Sequence, residues 1–166
     1  MSTELKGILD ATADAMTLNP SAALAQVAAG SELTGVCEVE ITIADRTVKA
    51  DMPEGLGAGT APTPGEYALA ALGSCQAITY RFWSEKLGVR LDKVRVDVVA
   101  DIDLRGLFGV TGGTRPGFGG VEVNVLLSGP ETPERYEELR RHVNEHSPLL
   151  DIFANPVPVR TALTVA

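Results

Sequence analysis

Few residues of the chain could do covalent or metal chemistry, and Cys75 comes first among them. It follows Gly73 and Ser74 in a run of small and apolar residues. A cysteine in such a run is either a small packed hydrophobe or a nucleophile. A nucleophile must be a thiolate, which burial opposes and a nearby cation favours. Cys75 lies about three turns into its expected helix, too deep for the helix dipole to help. Cys37, on the face of an expected strand with Val39 and Ile41, is either a packed strand residue or a second thiol. His142 and His146 have the i, i+4 spacing of metal ligands, but no third ligand of matching spacing stands out and Arg140 and Arg141 crowd the stretch. A solvated face without metal is the plainer reading. The glycine-rich stretches 55–59 and 112–120 fit no phosphate loop, since the second runs into a strand and not a helix.

These residues must be positioned by a fold. Thr63-Pro64-Gly65-Glu66 starts a helix, with Thr63 as cap, Pro64 at the first position and Glu66 closing a capping box. The helix should run to Leu87 and stop at Gly88. From Tyr67 to Cys75 it has no polar face, as expected of a buried helix. Alternation over 36–43 and 47–52, with a turn at Asp45-Arg46, predicts a hairpin. Further strands are expected over 94–102, 121–127 and 157–165. Helices are expected from Thr132-Pro133 to His146 and from Ser147-Pro148 through Phe153. Residues 2–30 read as an amphipathic arm of two helices, the second capped by Asn19-Pro20 and ended by Gly30. Strands and helices do not alternate strictly, so the class is α+β with mostly antiparallel pairing around a buried central helix. The domain reading is an N-terminal arm over 1–32 and one domain over 33–166.

The 166 residues suit a single core, with 45% hydrophobic composition. The net charge of −8 argues against a grip on nucleic acid or an anionic membrane through charge. No apolar run is long enough to span a bilayer. Two cysteines and no visible leader make a reduced, cytoplasmic setting the simplest reading.

The segment Pro64-Gly65-Glu66-Tyr67-Ala68-Leu69-Ala70-Ala71-Leu72-Gly73-Ser74-Cys75 resembles the signature helix of the OsmC/Ohr family, the osmotically induced and organic-hydroperoxide-resistance proteins. Gln76-Ala77-Ile78-Thr79-Tyr80 continues it, and His146-Ser147-Pro148-Leu149-Leu150-Asp151 resembles the family's second site. Asn155-Pro156-Val157-Pro158-Val159 resembles its run into the last strand. The resemblance covers roughly residues 33–166. It implies an intertwined homodimer with interface sites, reduction of organic hydroperoxides by the helix cysteine, and an external thiol reductant, with no cofactor and no metal. On this resemblance Cys75 is the peroxide-attacking thiol, Glu66 the family's glutamate, and Arg46 the arginine that holds the thiolate. Arg105 and Arg115 are second-choice partners. The resolving cysteine of the family is here Ser147, which cannot form a disulfide.

Tyr67, Leu72, Ile78, Phe82 and Trp83 could wall a pocket for an alkyl tail, or simply pack the core. Glu66 and Cys75 are nine residues apart, which on one straight helix is opposite sides and about 13 Å. If both serve one site, Glu66 must come from a neighbouring chain. The leading expectation is a single-cysteine reductase of organic hydroperoxides. A non-catalytic or redox-responsive binder of small apolar molecules is the alternative, and acyl transfer on the same scaffold a third.

Overall fold

The computed structural model describes residues 2–110 and 112–165, without the side chains of residues 2 and 3. In chain order the elements are α1 (Ser2–Leu18), a short 3-10 turn (Pro20–Ala23), β1 (Ala29–Leu33), β2 (Val39–Ile43), β3 (Arg46–Ala50), α2 (Pro64–Leu87), β4 (Lys93–Ile102), α3 (Leu104–Leu107), β5 (Phe118–Ser128), α4 (Pro133–His146) and α5 (Pro148–Ala154). They fall into two compact units interleaved along the chain.

The first unit takes residues 1–71 and 98–123. Its sheet has the order β1-β2-β3, antiparallel throughout, with Ile41 opposite Ser31 and Val48. A two-residue turn at Ala44-Asp45, with Ala44 at φ 53, joins β2 to β3, so Arg46 begins β3 instead of sitting in the turn. Cys37 lies in the bend before β2 and not on a strand face, where its Sγ donates to the Leu56 carbonyl at 3.1 Å. The loop after β3 is wound around the buried Asp51 carboxylate, which accepts from the amides of Met52 (2.7 Å), Ala58 (3.2 Å) and Thr60 (3.1 Å) and from the Thr60 hydroxyl (3.0 Å). Gly57 is required there, because a Cβ would lie 2.4 Å from Asp51 Oδ1.

The expected second helix of the arm does not form. Asn19 makes no side-chain cap; its Oδ1 accepts from Ser21 Oγ at 2.7 Å and only a 3-10 turn follows. Residues 29–33 become β1 because β2 offers a hydrogen-bonding edge, a tertiary effect that overrides the weak strand preference of Ala-Gly-Ser-Glu-Leu. Residues 29–32, read as arm, thus belong to a sheet. α1 has no buried residue among those described.

The second unit takes residues 72–97 and 124–166. Its core is Tyr80, Val89, Leu91, Leu139 and Val143, with Trp83, Leu87, Val94, Val125, Leu127 and Tyr136 packed against it. α2 stops where expected, with Gly88 at φ +64 and the Val89 amide returning to the Ser84 carbonyl at 2.8 Å. α4 is tied to that stop, since Arg135 donates to the Leu87 carbonyl at 2.7 Å and Tyr136 to the Arg90 carbonyl at 3.1 Å. β4 and β5 form a two-stranded sheet. The Asp92 amide meets the Ser128 carbonyl at 2.8 Å, while Gly119 lies beside the Asp101 carbonyl, so these strands run antiparallel.

Two further expectations change. α2 is not buried all round within the chain: Leu72 and Gly73 of the expected run, with Gln76, Thr79, Tyr80 and Ser84, are buried, whereas Ala70, Ala71 and Ser74 of that run, and Ile78 and Phe82 beyond it, are exposed. Residues 156–165 form no strand, and Val157, Val159, Leu163 and Val165 stand in solvent. Alternating apolar residues make a strand only when an edge is available to pair with, and none of the described edges takes this segment.

Leu139 has no exposed surface, so Leu139→Ala should cost about 2–5 kcal/mol in urea unfolding. Burial pushes the Tyr80 hydroxyl up to about 12, with Arg140 pulling it down and Glu137 pushing it up. Unfolded, it titrates near 10. Between those values the native chain binds more protons than the unfolded one, so stability is full below about pH 10 and falls toward pH 12. Urea midpoints across that range should show the fall, and Tyr80→Phe should flatten it.

Candidate active site around Cys75

α2 carries Cys75 on the border of its buried face, between the buried Gly73 and Gln76. The helix forms because its first turn is fully capped. Thr63 Oγ1 accepts from the Glu66 amide at 3.2 Å, and Glu66 Oε2 takes the Thr63 amide at 2.7 Å and the Thr63 hydroxyl at 2.8 Å. These bonds hold the Glu66 carboxyl below its usual range, the Thr63 amide contributing most. Glu66 therefore performs the capping-box role, and α2 is unbroken from there past Cys75.

The partner of Cys75 comes from the junction of α4 and α5. Ser147 is 2% exposed, and its Oγ lies 3.6 Å from Cys75 Sγ. Ser147 is extended (φ −86, ψ 113) because Pro148 opens α5 immediately after it. Its side chain makes no cap bond to α5, which leaves the hydroxyl for the sulfur. The residues expected as thiol and substituted resolving position, 72 apart in sequence, are thus adjacent in one unit. Either group can donate, and the hydroxyl can solvate a thiolate as a donor. Next to Cys75, Gln76 is buried with its Nε2 unpartnered among the described residues, an orphaned donor that sequence reading missed.

Arg46, Arg105, Arg115 and Tyr67 belong to the first unit, and Leu72, Ile78, Phe82 and Trp83 to the second. Arg46 is 86% exposed at the head of β3, with Asp45 at 4.0 Å. Arg105, a second-choice thiolate partner, is engaged by Asp103 through Nε at 3.0 Å. The guanidinium of Arg115 lies against Gly117. Leu72 is sealed in the interior and offers no surface to a ligand. Trp83 stacks on His142 (5.0 Å between centroids, 13° between planes), and Tyr67 donates to the Lys49 carbonyl at 2.7 Å. Phe82 and Ile78 face outward. A separate cleft of about 530 Å³ in the first unit is lined by Gly35–Glu38, Asp51 and Gly55–Ala58. Asp51 and Cys37 already spend their polar atoms on the loop there.

The sulfur–oxygen distance predicts that Ser147→Cys will place two thiols in disulfide reach. Mild oxidation of that variant should bridge Cys75 to the introduced thiol within one chain, read as a two-proton mass loss on peptide mapping. A variant that stays reduced would show that the two side chains do not meet.

Comparison with known proteins agrees with this architecture. No curated protein matches the chain significantly in sequence. Solved structures do match in fold. An OsmC-like protein from Mycoplasma pneumoniae superposes with TM-score 0.69 at 11% identity, covering 78% of this chain and 88% of its own. An organic hydroperoxide resistance protein OsmC from Legionella pneumophila gives 0.60 at 22% identity, covering 78% and 90%. An organic hydroperoxide resistance protein from Elizabethkingia anophelis gives 0.59 at 18% identity, covering 78% and 88%. The family model described as OsmC-like protein matches residues 57–162, which include α2, Cys75 and Ser147. The chain belongs to the OsmC-like protein family.

Proposed function

We propose that this chain reduces organic hydroperoxides through a single cysteine, Cys75, with a small thiol from solution closing the cycle. The observation that carries the reading is the half-buried thiol at the end of a small, apolar helix run, with a buried hydroxyl 3.6 Å away. Membership of the OsmC-like family supports it, as do fold relatives that are organic hydroperoxide resistance proteins. The Cys75 thiolate attacks the terminal peroxide oxygen, the O–O bond breaks, and the alkoxide takes a proton and leaves as alcohol. Cys75 is left as a sulfenic acid. One external thiol condenses with it, releasing water and forming a mixed disulfide. A second external thiol attacks the external sulfur of that mixed disulfide, leaves as the external disulfide, and releases Cys75 as the reduced thiolate. No metal or organic cofactor enters these steps.

In this reading Ser147 hydrogen-bonds the sulfur but cannot resolve it. Arg46 is the arginine that would hold the thiolate, and its exposed position at the head of β3 suits a role across two chains. A homodimer is part of the proposal. Ile78 and Phe82 on α2 and the alternating Val157, Val159, Leu163 and Val165 are more apolar surface than one chain should leave to water. The two free cysteines suit a reducing compartment such as the cytoplasm. No helix among the described residues is long and apolar enough to cross a membrane. The alternative reading is a non-catalytic or redox-responsive binder of small apolar molecules, and the hydroxyl at the resolving position favours it.

Cumene hydroperoxide added to reduced protein, with dimedone as trap, should label Cys75 in a fast, saturable reaction that vanishes in Cys75→Ser. Oxidation no faster than that of a free thiol at the same pH would sink the enzymatic reading and favour the binder. Sedimentation at micromolar concentration should give a dimer mass; a monomer would overturn the two-chain part.

A further inference from the structure

The last turn of α4 assembles three metal-type donors that the thiol chemistry does not use. His142, Glu145 and His146 each present a ligand atom, and these atoms all lie within 4.8 Å of one another. The spacing i, i+3, i+4 stacks them on one helix face. The pair of histidines alone reads as a solvated face; the carboxylate at i+3 is what changes that reading. A four-coordinate first-row ion with bonds of about 2.0–2.2 Å holds its ligands roughly 3.4 Å apart, so modest side-chain rotation closes the set.

Two features show ligands held for such a role. His146 Nδ1 lies 2.8 Å from the His142 carbonyl. A carbonyl only accepts, so Nδ1 carries the hydrogen, and in the neutral ring this leaves the lone pair on Nε2. Outer-shell bonds of this kind fix the tautomer and direction of ligating imidazoles. His142 Nδ1 is buried and has no hydrogen-bond partner among the described residues. An unsatisfied buried ring nitrogen calls for an occupant. Trp83 holds both rings, stacked on His142 at 5.0 Å and tilted against His146 at 4.2 Å. Lys86 covers the same indole at 5.0 Å.

We propose that His142, Glu145 and His146 bind one divalent transition-metal ion per chain, of the zinc–nickel–copper class. Two imidazoles and a carboxylate suit these ions over calcium or magnesium, which take oxygen sets. Three protein ligands leave a coordination position open to water. The site draws only on α4 and Trp83 and stands independently of the reading of Cys75.

Trp83 is the chain's only tryptophan, so its emission reports the site. Ni²⁺ added to the reduced full chain should quench that emission saturably at one ion per chain, and Zn²⁺ should reverse the quench by competition. His146→Gln and Glu145→Gln both change exposed residues. Each should weaken Ni²⁺ binding by about tenfold or more, at least the loss that removal of an outer-shell partner causes. The Cys37→Ser/Cys75→Ser chain should bind as the parent does, which separates this site from the thiols. No quench at millimolar Ni²⁺, a quench that survives both α4 substitutions, or one lost with the cysteines would overturn the proposal.

Discussion

The feature on which the rest depends is a helix with apolar residues on more faces than the described residues cover. α2 packs Leu72, Tyr80 and their buried neighbours inward, and this packing fixes the rotation of the whole helix. Once that rotation is set, Cys75 must lie at the border of the buried face, where the α4–α5 junction delivers Ser147. The same rotation leaves Ile78 and Phe82 outward. A hydrophobic residue left in water forfeits about 1.5–3 kcal/mol of possible burial, so the outward face is a standing pressure toward cover.

The thiol–hydroxyl pair rests on two independent locks. The capping box at Thr63 and Glu66 fixes where α2 begins, and Gly88 with the Val89 amide fixes where it ends. Arg135 and Tyr136 then tie α4 to the chain just after that end. Because α4 runs from this anchor to His146, the position of Ser147 follows from contacts made far from the sulfur. A substitution at either lock would therefore move the hydroxyl relative to the thiol without touching either.

Local signals were legible in the sequence where they were strong. Thr63-Pro64 and Thr132-Pro133 each mark a helix start that the structure keeps, and the valine alternations mark β4 and β5. Signals failed where an edge or a cap had to come from elsewhere. Asn19-Pro20 looks like a helix start, yet the asparagine side chain turns to Ser21. Ala29–Leu33 has little strand character of its own and is a strand because β2 is there. Residues 157–165 have strand character and no partner within the described chain. In the site, the proximity of Cys75 and Ser147 was reachable only through family resemblance, because no periodicity links residues 72 apart. Glu145 was missed because the histidine spacing was weighed without the carboxylate between them.

A hydroxyl beside a sulfur is chemically silent toward oxidants. In the proposed chemistry a neighbouring thiol would turn the sulfenic acid at once into a disulfide, whereas Ser147 would leave that trace on Cys75 until electrons arrive by diffusion. The persistence of that trace is then set by the surrounding supply of reductant and not by the protein. On that chemistry the chain would register the balance between two pools, one that marks it and one that wipes it clean.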